Sequence, residues 1–208
     1  MDIEKKELIQ RLEAKGMKDK SILRAIQKVP RERFVSEKSK SLAYTDVALP
    51  IGSGQTISQP YIIAKMLTLL ELNSLDKVLE IGSGSGYVSA LLANITKSVI
   101  GIEKDEELVK SSKKLVKDLG YNNIKILRGD GSRGYPAYHP YQKIIVSAAL
   151  PEIPPILIKQ LADPGIIVAP VGNRMHQKLV VLKKIGKKTY KEEHDPCIFL
   201  PVRGEYGF

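Results

Sequence analysis

The sequence predicts an α/β fold built on one mostly parallel sheet, and three observations carry that expectation. From Lys77 onward, short apolar runs alternate with helix-like segments. Runs such as KIIVSAA (143–149) and GIIVAPV (165–171) have the near-continuous apolar character of strands buried on both faces. The first run, KVLEI (77–81), passes directly into the glycine-rich GSGSG (82–86) and then into YVSALLA (87–93), which reads as a strand, a tight turn and a helix start.

The elements follow in order. Residues 3–15 form a helix closed by Gly16. Asp19 or Ser21 caps a second helix over ILRAIQKV (22–29), which stops before Pro30. Residues 31–59 are rich in Gly, Ser, Thr and Pro and show weak periodicity. An irregular segment of that length in a small domain marks function or disorder, and Tyr44, Val47, Leu49, Ile51 and Ile57 argue against disorder. A helix from Tyr61 to about Leu72 carries Ile62, Ile63, Met66, Leu67 and Leu70 on one side. Strands are expected at 77–82, 98–103, 124–128, 142–148 and 165–170, with helices near 87–94, 106–119 and 153–162. Beyond Gly172, KLVVLKKIG (178–186) and a stretch near 197–202 are further strand candidates. Gly186 suggests an antiparallel end to the sheet. One domain, 1–208, is expected: N-terminal helices and loop over 1–60, then an α/β core over 61–208.

Composition narrows the class. Of 208 residues, 43% are hydrophobic, an ordinary globular value. No apolar run reaches the roughly 18 residues of a membrane span. The N-terminus, MDIEKKELIQRLEAKG, reads as a charged amphipathic helix and not a secretory signal. The single cysteine, Cys197, suits a reducing cytoplasm and reads as a buried structural residue, and no zinc-like Cys/His spacing occurs. A net charge of +10 raises the question of nucleic acid, but the lysines are scattered and no arginine-rich or aromatic–basic stretch accompanies them.

The glycine turn is the sharpest chemical signal. Glycine permits backbone to turn tightly and to approach a ligand. A dinucleotide turn reads GxGxxG and a phosphate loop GxxxxGK(S/T). Here Gly82, Gly84 and Gly86 read GxGxG, no Lys follows, and Glu80 sits two residues before the first glycine. A carboxylate there repels pyrophosphate and suits a cationic ligand. Glu103 ends the second strand, about 20 residues beyond the glycines, where such folds place an acid on a ribose diol. Its alternative is a solvated acid among Asp105, Glu106 and Glu107 at a helix start. Asp130, between Gly129 and Gly131, ends the third strand and is placed to accept from an adenine amino group, or to serve a simple turn. Together with Ser83 the pattern resembles the S-adenosylmethionine turn of Rossmann-like methyltransferases.

The loop carries a more specific resemblance. YTDVALPIGSGQTISQPYIIAKM (44–66) is similar to the loop before the cofactor turn in protein-L-isoaspartate O-methyltransferases, which read D-x-A-L-P-I-G-x-G-x-T-I-S-x-P. Asp46, Ala48, Leu49, Pro50, Ile51, Gly52, Gly54, Thr56, Ile57, Ser58 and Pro60 match. The similarity continues through VLEIGSGSGY, GDGS (129–132), YQKIIVSAALPEIP (141–154), LADPGIIVAPVG (161–172) and FLPVRGEYGF (199–208). Tyr61, where many members have His, and Gln142, where an acid is frequent, are the visible departures.

The resemblance implies a sheet of seven strands flanked by helices. It implies methyl transfer from S-adenosyl-L-methionine to the free α-carboxylate of L-isoaspartyl residues in damaged proteins and peptides, with S-adenosyl-L-homocysteine as product and no metal. The ester then closes to a succinimide that can reopen to aspartate. A monomer working in the cytoplasm is expected, with no membrane or nucleic-acid partner. By the resemblance Ser58 is the active-site residue; on the residues alone, a Ser just before Pro60 reads better as a helix cap. Thr56, Ile57 and Gln59, with Val171 in a strand edge at Ala169-Pro170-Val171 and Arg203, are expected to hold the substrate. A surface pair between Arg203 and Glu205 competes with that role.

Rivals are a nucleic-acid methyltransferase, a binding module without transfer activity, and a dehydrogenase. The first lacks an Asn/Asp-Pro-Pro-aromatic signature in SAALPEIPP (147–155), the second is at odds with intact glycines and acids, and the third with the glycine spacing.

Overall fold

The computed structural model describes residues 2–208. Two amphipathic helices open the chain, α1 (Asp2–Ala14) and α2 (Lys20–Lys28). Leu8 and Leu12 of α1 pack against Ile22, Leu23 and Ile26 of α2, so each helix buries its apolar stripe on the other and on the core. The Asp19 carboxylate caps α2, accepting from Ser21 N at 2.8 Å and Ile22 N at 3.3 Å.

Residues 31–59 are ordered, as their apolar side chains require. Two short 3-10 turns, Arg31–Arg33 and Glu37–Leu42, lead into a hairpin that sequence reading missed. Its strands are β1 (Leu49–Gly52) and β2 (Gln55–Ile57), with Leu49 opposite Ile57. Helix α3 (Pro60–Leu69) follows, with Pro60 in its first turn, where the missing N–H costs nothing.

The core is seven-stranded and mostly parallel. Its strands are β3 (Lys77–Ile81), β4 (Ser98–Glu103), β5 (Ile124–Arg128), β6 (Tyr141–Val146), β7 (Leu161–Gly172), β8 (Gln177–Ile185) and β9 (Lys188–Cys197). The spatial order is β5-β4-β3-β6-β7-β8-β9. Only β8 runs against its neighbours, so the end of the sheet is antiparallel as Gly186 suggested. The last strand, however, is KTYKEEHDPC and not 197–202. Of the 197–202 stretch only Cys197 belongs to that strand, and residues 198–202 make a single bridge, Pro201 to Ala149. A charged segment became a strand there because it is a sheet edge, where side chains stay in water.

Successive strand residues feed opposite faces. Val78, Val99, Ile145 and Val168 join α1–α4 in one cluster. Leu79, Ile100, Ile144 and Ile167 join Leu157 of α6 (Pro155–Gln160) in the other. The remaining crossovers are α4 (Tyr87–Ala93) and α5 (Glu106–Asp118). The strand order reverses between β3 and β6, which opens a crevice at the carboxyl ends of the central strands.

Candidate active site

The crevice is a cavity of about 690 Å3. The glycine turn forms its floor. Gly82, Gly84 and Gly86 have φ of 76°, 51° and 85°, a region that side chains other than glycine's rarely tolerate. A Cβ on Gly84 would stand 3.1 Å from Ile51 Cδ1, so the β1–β2 hairpin rests directly on the turn. That contact joins the two motifs read separately in the sequence. Thr56, Ile57, Ser58 and Gln59 line the cavity together with Glu80, Gly82, Ser83, Gly84, Glu103, Gly129 and Gly131.

Glu80 and Glu103 are 1% and 3% exposed. The Glu103 carboxylate turns inward and accepts from three backbone donors: Gly84 N at 2.9 Å, Lys104 N at 2.7 Å and Asp105 N at 2.9 Å. Asp105, not Glu103, caps α5, accepting from Leu108 N at 3.0 Å. Glu80 accepts from the Ser89 hydroxyl and, at 3.1 Å, from the Ser147 hydroxyl. Burial raises the Glu80 pKa to about 8; the two hydroxyls oppose the shift and the nearby Glu103 adds to it. The Ser83 hydroxyl is buried and has no hydrogen-bond partner. An orphaned donor beside two inward carboxylates is the donor set that a polar, partly cationic ligand requires.

Ser58 joins β2 to α3. Its hydroxyl makes no hydrogen bond among the described residues, and the N-cap position of α3 is Gln59, whose side chain does not cap the helix but bonds Asp46. The helix is capped from outside by Asp46, whose Oδ1 accepts from Tyr61 N at 2.8 Å. Burial pushes the Asp46 carboxyl up, but the Lys15 ammonium 2.6 Å away and the Tyr61 N–H outweigh it and leave it below the usual carboxylate range. The cap reading of Ser58 is therefore replaced: Asp46 does that work, and Ser58 lines the cavity.

Other expectations are corrected. Asp130 does not line the cavity. Its Oδ1 accepts from Ser132 N at 3.0 Å and the Ser132 hydroxyl at 2.7 Å, and its Oδ2 from Glu205 N at 2.9 Å, so it ties down the C-terminal segment. Val171 does not line the cavity either, and Ala169-Pro170-Val171 is no free edge. It pairs with Val180, Leu179 and Lys178 of β8 on one side, while Pro170 O accepts from Leu150 N at 2.9 Å on the other. Glu205 pairs with Arg133 at 3.0 Å and not with Arg203; Arg203 lines the cavity, and its guanidinium makes no ion pair among the described residues. Cys197 is half-buried in the cavity wall, and burial pushes its thiol up to about 11, which keeps it protonated.

Sequence reading missed Lys104, Arg174, Tyr87 and Ser147, all of which line the cavity. Ser147 was in principle findable, since a small hydroxyl one residue past a buried strand is placed to meet a neighbouring strand-end acid. Arg174, in the β7–β8 turn, carries no such signal. Among the described residues, no group of three or more His, Cys, Asp or Glu side chains is placed to hold a metal, and no helix is long and apolar enough to cross a membrane.

Comparisons with known proteins match this geometry. The family model described as protein-L-isoaspartate(D-aspartate) O-methyltransferase matches residues 3–207. A protein-L-isoaspartate O-methyltransferase of Dictyoglomus thermophilum is 45% identical over 204 residues, covering 98% of this chain and 93% of that one. One of Petrotoga mobilis is 45% identical over 213 residues, covering 100% of both. Among solved structures, a protein-L-isoaspartate O-methyltransferase superposes with a TM-score of 0.89 at 26% identity, covering 97% of this chain and 67% of that one. A Plasmodium falciparum beta-aspartate methyltransferase in complex with S-adenosyl-L-homocysteine gives a TM-score of 0.82 at 25% identity, covering 95% and 97%.

Proposed function

Because this chain belongs to the protein-L-isoaspartate(D-aspartate) O-methyltransferase family, we propose that its cavity orients the free α-carboxylate of an L-isoaspartyl residue through Ser58. The chain is an S-adenosylmethionine-dependent methyltransferase of the protein-repair class. When bound, the cofactor supplies an electrophilic methyl group on a sulfonium sulfur. Gly82, Ser83 and Gly84 would hold it along the turn, Glu103 at its ribose and Glu80 at its cationic end, while Gly86 does not line the cavity and instead caps α4, packed against Ser112 and Val116.

The protein's own task is alignment. A substrate carboxylate is already ionised at neutral pH, so no residue need remove a proton. The cavity holds no catalytic triad and needs none. The Ser58 hydroxyl donates to one carboxylate oxygen and leaves the other free to attack. Thr56, Ile57 and Gln59 shape the same wall, and Arg203 offers positive charge to the cavity. Apolar Ile57, Val88 and Phe199 line the cavity and keep water from competing with the carboxylate. The observation that carries this reading is that Ser58, whose hydroxyl makes no hydrogen bond among the described residues, lines the cavity that the glycine turn floors.

The test is methyl incorporation from labelled cofactor. An isoaspartyl peptide should be labelled and its normal aspartyl counterpart should not. Turnover on a neutral peptide should change only modestly across a few hundred millimolar salt, whereas a nucleic-acid enzyme loses affinity steeply. Label in RNA or DNA and not in the peptide would overturn the reading.

Glu80 gives a pH-dependent prediction. Its folded pKa lies near 8, above the ordinary value of 4.5, so the folded state holds a proton that the unfolded chain releases between those values. Stability of the ligand-free protein from this group is therefore present below about pH 4.5 and is lost as pH rises toward 8. A cationic ligand favours the ionised form, so S-adenosylmethionine binding should tighten from pH 6 to 8 and release protons. Calorimetry in buffers of differing ionisation enthalpy reads the release. No proton release in the parent, or release that persists in Glu80→Gln, would refute the assignment.

A further inference from the structure

Arg31 belongs to no motif read from the sequence, yet among the described residues it is the largest fully buried side chain, with 0% exposure. Its guanidinium reaches three separate points of the substrate loop. Nε donates to Ala43 O at 2.9 Å, and Nη2 donates to Val47 O at 3.4 Å and Ser58 O at 3.0 Å. The Cζ atom lies 5.0 Å from the centroid of the Tyr87 ring, and Tyr87 is the first helical residue after the glycine turn. One side chain thus binds the loop that carries Ser58 to the helix that carries the cofactor turn.

We propose that Arg31 is a positioning residue for methyl transfer, acting through Ser58. The proposal rests on the reading of Ser58 above. Arg31 does not line the cavity, so it touches no substrate. It acts because the Ser58 hydroxyl has no hydrogen bond of its own to aim it. Aim must come from the backbone, and the Ser58 carbonyl is fixed by Arg31. On the downstream side, Asp46 fixes Tyr61 N. Arginine is required because a planar fork reaches several carbonyls at once while stacking on a ring, and an ammonium does not.

The test is a double-mutant cycle on Arg31→Lys and Ser58→Ala. Turnover is measured with an isoaspartyl peptide and normalised to sites that bind S-adenosylhomocysteine, so unfolded molecules drop out. Arg31→Lys should lower kcat by about 10- to 100-fold, as small misplacements of a catalytic group do. KM and S-adenosylhomocysteine affinity should stay within about twofold of the parent, an expectation set by the same orientation argument. In the Ser58→Ala background the same change should cost little further. Arg31→Gln serves as the second variant, since it removes the buried charge and keeps a single donor nitrogen, and it should lower kcat at least as far as Arg31→Lys. Equal losses with and without Ser58 would make Arg31 a staple of the fold and overturn the proposal, as would folded variants with undiminished kcat. A parent inert toward the peptide would remove the Ser58 reading itself, which the parent control shows separately.

Discussion

Ser58→Ala should lower turnover on an isoaspartyl peptide by about 10- to 1,000-fold, the loss expected for one orienting hydrogen bond. Affinity for S-adenosylhomocysteine should be nearly unchanged, because the glycine turn and both strand-end acids are untouched. Thermal stability should also be unchanged, and this is where the structure sharpens the expectation. Loss of a serine N-cap costs about 1 kcal/mol. Here α3 is capped by Asp46 and the Ser58 hydroxyl bonds nothing, so there is no cap to lose. No methyl-serine intermediate should accumulate, since the substrate carboxylate attacks directly. Mass spectrometry of quenched turnover, thermal melts and initial rates together test the claim. Full turnover in the folded variant would remove Ser58 from the mechanism; a rate loss accompanied by an equal loss of cofactor affinity would place it on the cofactor instead.

The contrast between Ser58 and Asp46 shows how far the sequence carries. Serine before proline at a helix start is a local pattern, and local patterns cannot reveal that Asp46, 15 positions before the Tyr61 N–H it accepts from, has already satisfied the helix N-terminus. The parallel strands were legible because burial on both faces writes itself into composition, as in KIIVSAA. The β9 edge was not, since KTYKEEHDPC has the polarity of a loop and becomes a strand only by pairing with β8. The β1–β2 hairpin was half legible. IGSGQTI places a Gly-Ser-Gly turn between short apolar arms, but both strands are brief and one contains a proline.

At the site the same division holds. That Glu80, Gly82, Gly84 and Glu103 line one cavity was legible because their spacing along one strand–turn–helix unit and the next strand fixes their place in space. Asp130 stayed between two readings because a GDG turn looks the same whether its carboxylate faces the cavity or the C-terminal segment. Gly204 reveals which one occurs here, since a Cβ on it would meet Asp130 Oδ1 at 2.0 Å. Arg31 was invisible because PRERF reads as a charged loop, and only folding buries its first arginine under three carbonyls.

Glu103→Ala should have the other large effect, on both cofactor affinity and stability. Its carboxylate accepts from Gly84 N, Lys104 N and Asp105 N, and two of those bonds fall on Oε1. Oε2 carries one, which leaves it room to accept from a ribose hydroxyl. Removal leaves backbone donors in a buried site unsatisfied, at about 1–3 kcal/mol for each that finds no water. Loss of the ribose contact should weaken S-adenosylhomocysteine binding by about a further 1.5–3 kcal/mol, the range for hydrogen bonds to a charged group. Because the same side chain also holds Gly84, weaker binding alone does not separate a distorted turn from a lost contact. A ligand lacking a ribose hydroxyl separates them. The parent should bind the 2′-deoxy or 3′-deoxy analogue less tightly than S-adenosylhomocysteine, and Glu103→Ala should bind all three with similar affinity. A mutant that still discriminates against the deoxy analogues as the parent does would show that Glu103 only shapes the turn, and the ribose role would have to be given to another residue.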